Sequence, residues 1–217
     1  MFTGIIQDVG TVHHSQSVGG GVQITVRASR VSTDLKVDDS ISINGVCQTV
    51  VQKEGELFTV VAVEETLLKT TLGSVMPQGR VNLELAMKLG DRLGGHLVSG
   101  HVDGVGQIES IEHRETSWLF RIMIPTQFER YVIPVGSIAI DGVSLTVASI
   151  ERNIVVVSII PHTMENTIFA LYRANMPVNL EFDMIGKYIE KLVAARNDVT
   201  DKDSISSEQL RKWGYDL

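Results

Sequence analysis

The chain has 217 residues, 43% of them hydrophobic and 21% charged, enough apolar side chains for one large core or two cores of ordinary domain size. Its formal net charge of −7 and pI near 5.3 argue against a nucleic-acid partner, which calls for a basic face. A single cysteine excludes an intrachain disulfide framework, and no stretch approaches the roughly 18 apolar residues of a membrane-spanning helix.

The opening Met1-Phe2-Thr3-Gly4-Ile5-Ile6 has neither the basic nor the long apolar region of a signal peptide, so a cytoplasmic protein is expected. Val22–Val26 alternates β-branched and polar residues as a half-buried strand does, and Gly19-Gly20-Gly21 before it reads as a loop. Leu57–Val63 and Ile154–Ile160 are short apolar runs between turn formers, better read as buried strands than as helices. Asn44-Gly45 and Asp141-Gly142 are pairs that tolerate positive φ and predict tight turns.

These segments are two copies of one unit. Ile41–Val50 lies over Ile138–Val147, with Asn44 falling on Asp141, 97 positions on. The same offset places Thr66 on Thr163, Thr70 on Thr167 and Val81–Glu84 on Val178–Glu181. An offset of 96 places Gly4–Gly10 on Gly100–Gly106. A duplicated unit of many short strands must close its sheet edges, and small barrels do so most completely. An all-β fold is therefore expected, with two similar antiparallel barrels. At the end of the chain Ile185, Tyr188, Ile189, Leu192 and Val193 recur at helical spacing. That stripe fits a helix packed on its own barrel and a subunit contact equally well. The polar tail from Asn197 on predicts a loosely held segment, with a short helix near Ser206–Trp213.

Three features could carry chemistry. Gly94-Gly95-His96-Leu97-Val98-Ser99-Gly100-His101-Val102-Asp103 sits between the copies, and its glycines let backbone approach another group closely. His96 and His101 match no trusted metal-ligand spacing; turn or core histidines and an acid–base or substrate-anchoring role for one of them both remain open. Cys47 and Ser144 occupy equivalent places, either as small buried residues or as reactive ones. Asn44 and Asp141 are equivalent too, and Asx before Gly serves a turn whatever else it does. No phosphate-binding glycine loop and no serine nucleophile elbow is present.

Taken together, the opening Met1–Ile6, the pair Asn44–Val50 and Asp141–Val147, the junction Gly94–Asp103 and the segment Ile185–Leu192 resemble the riboflavin synthase family of the α-chain type. The resemblance covers about residues 1–196. It implies two six-stranded Greek-key barrels, each binding one lumazine (residues 1–96 and 97–184), a trimerisation helix at 185–197 and a polar tail at 198–217. The implied reaction is the dismutation of two molecules of 6,7-dimethyl-8-ribityllumazine to riboflavin and 5-amino-6-ribitylaminouracil, the last step of riboflavin biosynthesis, with no cofactor and no metal. It further implies a homotrimer in which the N-barrel of one subunit faces the C-barrel of another, and it allows lumazine synthase as a partner.

Carried over by position, the N-barrel pocket uses Gly4, Ile5, Ile6, Val46, Cys47, Gln48, Val60, Val61, Ala62, Val63, Glu64, Glu65, Thr66, Ser99, Gly100 and His101. The C-barrel pocket uses Asp141, Val143, Ser144, Leu145, Thr146, Ile159, Ile160, Pro161, His162 and Thr163. The expected catalytic groups are His101 with Cys47 on the acceptor side and Ser144 with Asp141 on the donor side, Phe2 setting the N-terminal loop. The chain departs from the family pattern at Gln48, where leucine is common, and at Pro134-Val135-Gly136, where Lys-Gly is common. A non-catalytic lumazine or flavin carrier on the same scaffold is the main alternative, although such chains generally lose the junction histidine motif or degrade one pocket. A flavin-binding reductase domain lacks its nucleotide-binding half here.

Overall fold

The computed structural model describes residues 1–202 and 211–214. In the first half, β1 (Asp8–Val18), β2 (Gly21–Arg27), β3 (Ser40–Ile43), β4 (Val46–Glu54), β5 (Leu57–Ala62) and β6 (Arg80–Leu85) close into an antiparallel barrel in the order β1-β2-β5-β4-β3-β6. In the second, β7 (Gly104–His113), β8 (Trp118–Met123), β9 (Ser137–Ile140), β10 (Val143–Glu151), β11 (Ile154–Ile159) and β12 (Pro177–Phe182) repeat that order. A one-turn helix follows the fifth strand of each, α1 (Glu64–Lys69) and α2 (Pro161–Asn166). Inside each barrel alternate strand residues form a separate core, built around Ile24, Phe58 and Leu83 in one and Phe120, Ile122 and Leu180 in the other. Closure removes the exposed edges that six short strands would otherwise offer.

The repeat extends to irregularities. Bulges interrupt β1 between Val12 and His14, β4 between Val50 and Gln52, β7 between Ile108 and Ser110, and β10 between Val147 and Ser149. A bulge bends a strand, and these four bends sit at matching points of the two barrels. Asn44-Gly45 and Asp141-Gly142 form tight turns at φ of 47°, 78°, 42° and 79°. Asn44 Oδ1 accepts the Asn82 N–H at 2.7 Å and Asp141 Oδ1 accepts the Asn179 N–H at 2.9 Å.

Both barrels belong to one compact unit, Met1–Asp183. They meet through those turns: a Cβ on Gly45 would lie 2.7 Å from the Gly142 nitrogen, and the reverse holds for Gly142. Asn82 Nδ2 donates to the Asp141 carbonyl at 2.9 Å while its Oδ1 accepts the Ile168 N–H at 2.9 Å. Asn179 does the same in the other direction, with the Asn44 carbonyl at 2.8 Å and the Thr71 N–H at 2.7 Å. A pseudo-two-fold axis therefore runs through the seam.

From Met184 on the chain forms a second unit. Its helix α3 (Met184–Lys202) runs past residue 197, so the first residues of the expected tail are helical instead. Ile185, Tyr188, Ile189, Leu192 and Val193 are all exposed on it. The short helix expected near Ser206–Trp213 lies outside the described residues except at its end, where Arg211 and Lys212 are helical.

Val135 stands out. It is 81% exposed yet holds φ at 64°, the left-handed region that costs a non-glycine residue about 1–2 kcal/mol and is worst for a β-branched side chain. Its N–H is tied to the Val147 carbonyl at 2.9 Å, which holds it there. Val135→Gly relieves the strain and exposes nothing, so the variant is expected to be more stable by about 1 kcal/mol, raising the midpoint of thermal unfolding by about 2–4 °C; an unchanged or lower midpoint would show that the backbone there is relaxed.

Candidate active site

Strand alternation sorts the residues expected at the two pockets. Val46, Gln48, Val60 and Ala62 are buried in the first barrel, Val143 and Ile159 in the second, and Leu145 packs on the second core. These point inward, away from any ligand on the outer wall. Cys47, Thr49, Val61 and Val63 point outward, as do Ser144, Thr146, Ser158 and Ile160, and in each set only the first is half-buried. Thr49 and Ser158 were not among the expected residues; period-two alternation is the signal that finds them.

On each barrel the outward residues sit where two paired strands part, and we call that parting a cleft. The ladder between β4 and β5 runs from Glu54–Leu57 to Val50–Val60 and ends there, and that between β10 and β11 ends at Val147–Val157. Beyond those points the strands diverge, so Cys47–Thr49 face Val61–Val63 and Ser144–Thr146 face Ser158–Ile160 across an opening. Thr66 of α1 and Thr163 of α2 are half-buried at its far end, and Glu64, Glu65, Pro161 and His162 are exposed there. Peptide groups on diverging strands suit the polar edge of a planar heterocycle, and the valine and isoleucine side chains suit its face.

The inner end of each cleft is closed by a loop. Phe2 pairs with Val98, N–H to carbonyl at 2.7 and 3.1 Å, and Phe2 is fully buried against Val98, Ala139, Cys47 and Ala86. From this crossing the N-terminal loop goes to the second barrel and the junction loop to the first. The Gly4 carbonyl accepts the Ser144 N–H at 2.8 Å, and the Gly100 carbonyl accepts the Cys47 N–H at 2.8 Å. Both glycines hold φ near 80°, and a Cβ on either would lie within 2.6 Å of the Ser144 or Cys47 Cβ. Ile6 packs on the second core and Val102 on the first. Gly4, Ile5 and Ile6 were expected in the N-barrel pocket. Gly4 instead contacts Ser144 and Ile6 packs on the second core, while Gly100 contacts Cys47.

Ser144 has a histidine partner, and it is His96. His96 Nδ1 lies 2.7 Å from Ser144 Oγ, and the His96 N–H donates to the Thr3 carbonyl at 3.2 Å. Gly95 makes this approach possible, since a Cβ there would lie 2.7 Å from that of Ser144. His96 is only 9% exposed, and its Nε2 has no partner among the described residues. Burial pushes its pKa below the ordinary value, opposed by the Asp183 carboxylate, so the ring is neutral at physiological pH and can pass a proton along the Ser144 bond. His101 is exposed one residue beyond the Cys47 contact, its backbone N–H on Ser99 Oγ at 3.1 Å. A cavity of about 400 Å³, lined by Thr3, Ile5, Gln7, Glu84, Arg92 and Gly94 among others, borders the N-terminal loop.

Asp141, expected to act with Ser144, has its carboxylate bonded elsewhere. Its carboxylate turns into the seam, accepting the Tyr172 hydroxyl and the Asn179 N–H. Burial raises its pKa to about 7, partly offset by those two donors, and burial likewise pushes the Tyr172 hydroxyl up. Gln48, where leucine was the family norm, points into the first barrel; Nε2 donates to the Cys47 carbonyl at 2.7 Å and Oε1 is without a partner among the described residues. Among those residues no group of three His, Cys, Asp or Glu side chains could hold a metal.

Residues 3–86 and 99–183 each match the lumazine binding domain. The chain is 40% identical to riboflavin synthase of Actinobacillus pleuropneumoniae over 99% of its length and all of that protein, and 36% identical to riboflavin synthase of Bacillus subtilis over the same shares. The chain belongs to the riboflavin synthase family. In fold it is similar to LumP complexed with riboflavin, with a TM-score of 0.79 at 22% identity, over 84% of this chain and 99% of that one. Within the family frame Asn44 and Asp141 are repeat mates, so an asparagine is known to fit the turn. Because the carboxyl titrates higher in the folded chain than the unfolded value of about 4, it contributes stability that is complete below about pH 4 and lost as pH rises through about 7. Asp141→Asn is expected to flatten that slope, gaining stability relative to the parent at pH 8 but not at pH 4; equal pH dependence in chemical denaturation would show that Asp141 is ionised throughout.

Proposed function

We propose that the protein is a riboflavin synthase: a transferase that takes two molecules of 6,7-dimethyl-8-ribityllumazine and passes a four-carbon unit from one to the other, giving riboflavin and 5-amino-6-ribitylaminouracil. The observation that carries the reading is the pair of matching clefts with unequal inner ends, Ser144–His96 at one and Cys47 at the other. Donor and acceptor are the same compound, so two homologous seats suit the reaction, and their inequality lets one substrate react differently from its twin. The products contain all the atoms of the two substrates, so no redox cofactor is called for. We take residues 1–96 and 97–184 as the two lumazine-binding halves.

The chemistry needs orientation more than strong bases. The C7 methyl of a lumazine is acidic because its carbanion spreads into the ring, and a neutral imidazole can accept that proton. In the C-terminal seat Ser144 and His96 supply the relay, held by the carbonyls of Gly4 and Thr3. In the N-terminal seat Cys47 lies at the inner end with His101 beyond it. Holding two reactants face to face can remove on the order of 7–11 kcal/mol of barrier. Purified protein given only the lumazine should form one riboflavin per two lumazines consumed. Ser144→Ala and His96→Gln should each lower kcat on the order of 10², and His101→Gln less. A tightly bound, unconverted lumazine would favour the carrier reading instead.

We further propose a homotrimer in which clefts of different subunits face each other, with lumazine synthase as an allowed partner in the cytoplasm; the exposed stripe on α3 supports self-association. Five exposed apolar side chains on one helical face are a surface that association would cover. Sedimentation should give three times the chain mass of 23.8 kDa, and Ile189→Glu with Leu192→Glu should shift the protein toward monomer; a parent protein that sediments as a monomer would remove the trimer from the proposal.

A further inference from the structure

Two buried glutamates lie behind the inner ends of the clefts. Glu84 of β6 is 1% exposed, and its carboxylate accepts the Thr3 N–H at 2.6 Å, the Thr3 hydroxyl at 2.7 Å and the Gly4 N–H at 3.0 Å. Glu181 of β12 is 4% exposed and accepts the Ser99 N–H at 2.6 Å, the Ser99 hydroxyl at 2.7 Å and the Gly100 N–H at 2.9 Å. The two clamps are the same device, repeated with the barrels. Three donors converging on one carboxylate make charge-assisted bonds stronger than neutral ones, so each short loop has little freedom while its clamp is intact.

What each loop holds belongs to the other barrel's cleft. Thr3 and Gly4, fixed by the first barrel's Glu84, present consecutive carbonyls to the N–H groups of His96 and Ser144, at 3.2 and 2.8 Å. Gly100, fixed by the second barrel's Glu181, presents its carbonyl to the N–H of Cys47 at 2.8 Å. We infer that Glu84 and Glu181 are positioning residues that act crosswise: Glu84 of the N-barrel sets the Ser144–His96 pair of the C-barrel cleft, and Glu181 of the C-barrel sets Cys47 of the N-barrel cleft. Each glutamate acts through two backbone carbonyls or one.

The crosswise arrangement gives a coupling between the clefts that the pseudo-two-fold alone does not require. A clamp serving its own barrel would keep each cleft independent, whereas here the geometry of one cleft depends on the folded state of the other barrel's last strand. It rests on the cleft assignment proposed above. Both reporters below are read without substrate, so loss of synthase activity would not mask the result.

Glu84→Gln and Glu181→Gln keep size and shape but replace one acceptor oxygen with an NH₂ that faces the Gly4 or Gly100 N–H. The nitrogen-15 signals of the His96 ring report the first cleft, and the rate of alkylation of Cys47, the only cysteine of the chain, reports the second. In the full-length protein Glu181→Gln should change the alkylation rate by about fivefold, the size expected from one lost hydrogen bond, and leave the His96 signals in place. Glu84→Gln should move the His96 signals and leave the alkylation rate within about twofold. Should either variant fail to fold, Thr3→Ala and Ser99→Ala each remove one of the three clamp bonds and should divide the same way. Each substitution perturbing the reporter of its own barrel, both reporters moving together, or neither moving would overturn the inference.

Discussion

Asn82 and Asn179 direct their carboxamides out of their own barrels and into the opposite one. Each donates to a turn carbonyl and accepts a backbone N–H, and both side chains are 1% exposed. A buried polar group left without its partner costs about 1–3 kcal/mol, so sliding the barrels past each other would break several such bonds at once. Between the asparagines the Gly45 and Gly142 turns touch backbone to backbone, with no room for a side chain. The relation between the two clefts is therefore set by a polar seam. That seam determines which way each cleft of one chain faces.

The seam is symmetric in backbone and unequal in chemistry. Asn44 has a neutral amide where Asp141 has a carboxyl, and Asp141 alone gains the Tyr172 hydroxyl. Cys47 stands where Ser144 stands, and it is Ser144 that has the His96 ring against its hydroxyl. Duplication supplied the two clefts. Substitution at a few contact points then made them different, while the strand order, the bulges and the positive-φ turn residues stayed shared.

Much of the fold was legible in the linear order. The repeat offsets, the Asx-Gly turns, the alternating strands and the apolar helix stripe depend on local residue types, and the structure keeps them in the same register. The outward-facing cleft residues were half legible. A contiguous run such as Val60–Thr66 names both faces of a strand at once, and only alternation separates Val61 and Val63 from the buried Val60 and Ala62. The helix continued past 197 because charged and small residues extend a helix as well as end a domain, and no glycine or proline interrupts Ala194–Lys202.

By itself the sequence determined that the protein is two copies of a barrel unit, that Cys47 and Ser144 are equivalent, and that one of two junction histidines could do chemistry. Only the tertiary structure decided which of them meets Ser144. His96 and His101 sit in the same glycine-rich segment, and nothing in the spacing separates them. The choice came from a crossing of chain at Phe2 and Val98, which sends the N-terminal loop to the second barrel and brings His96 to Ser144. The same crossing brings Gly4 to Ser144, while the Tyr172 hydroxyl and the Asn179 N–H hold the Asp141 carboxylate in the seam. Such exchanges are invisible in a linear sequence because they rest on contacts between residues some 30 to 140 positions apart, where no local propensity or pattern operates.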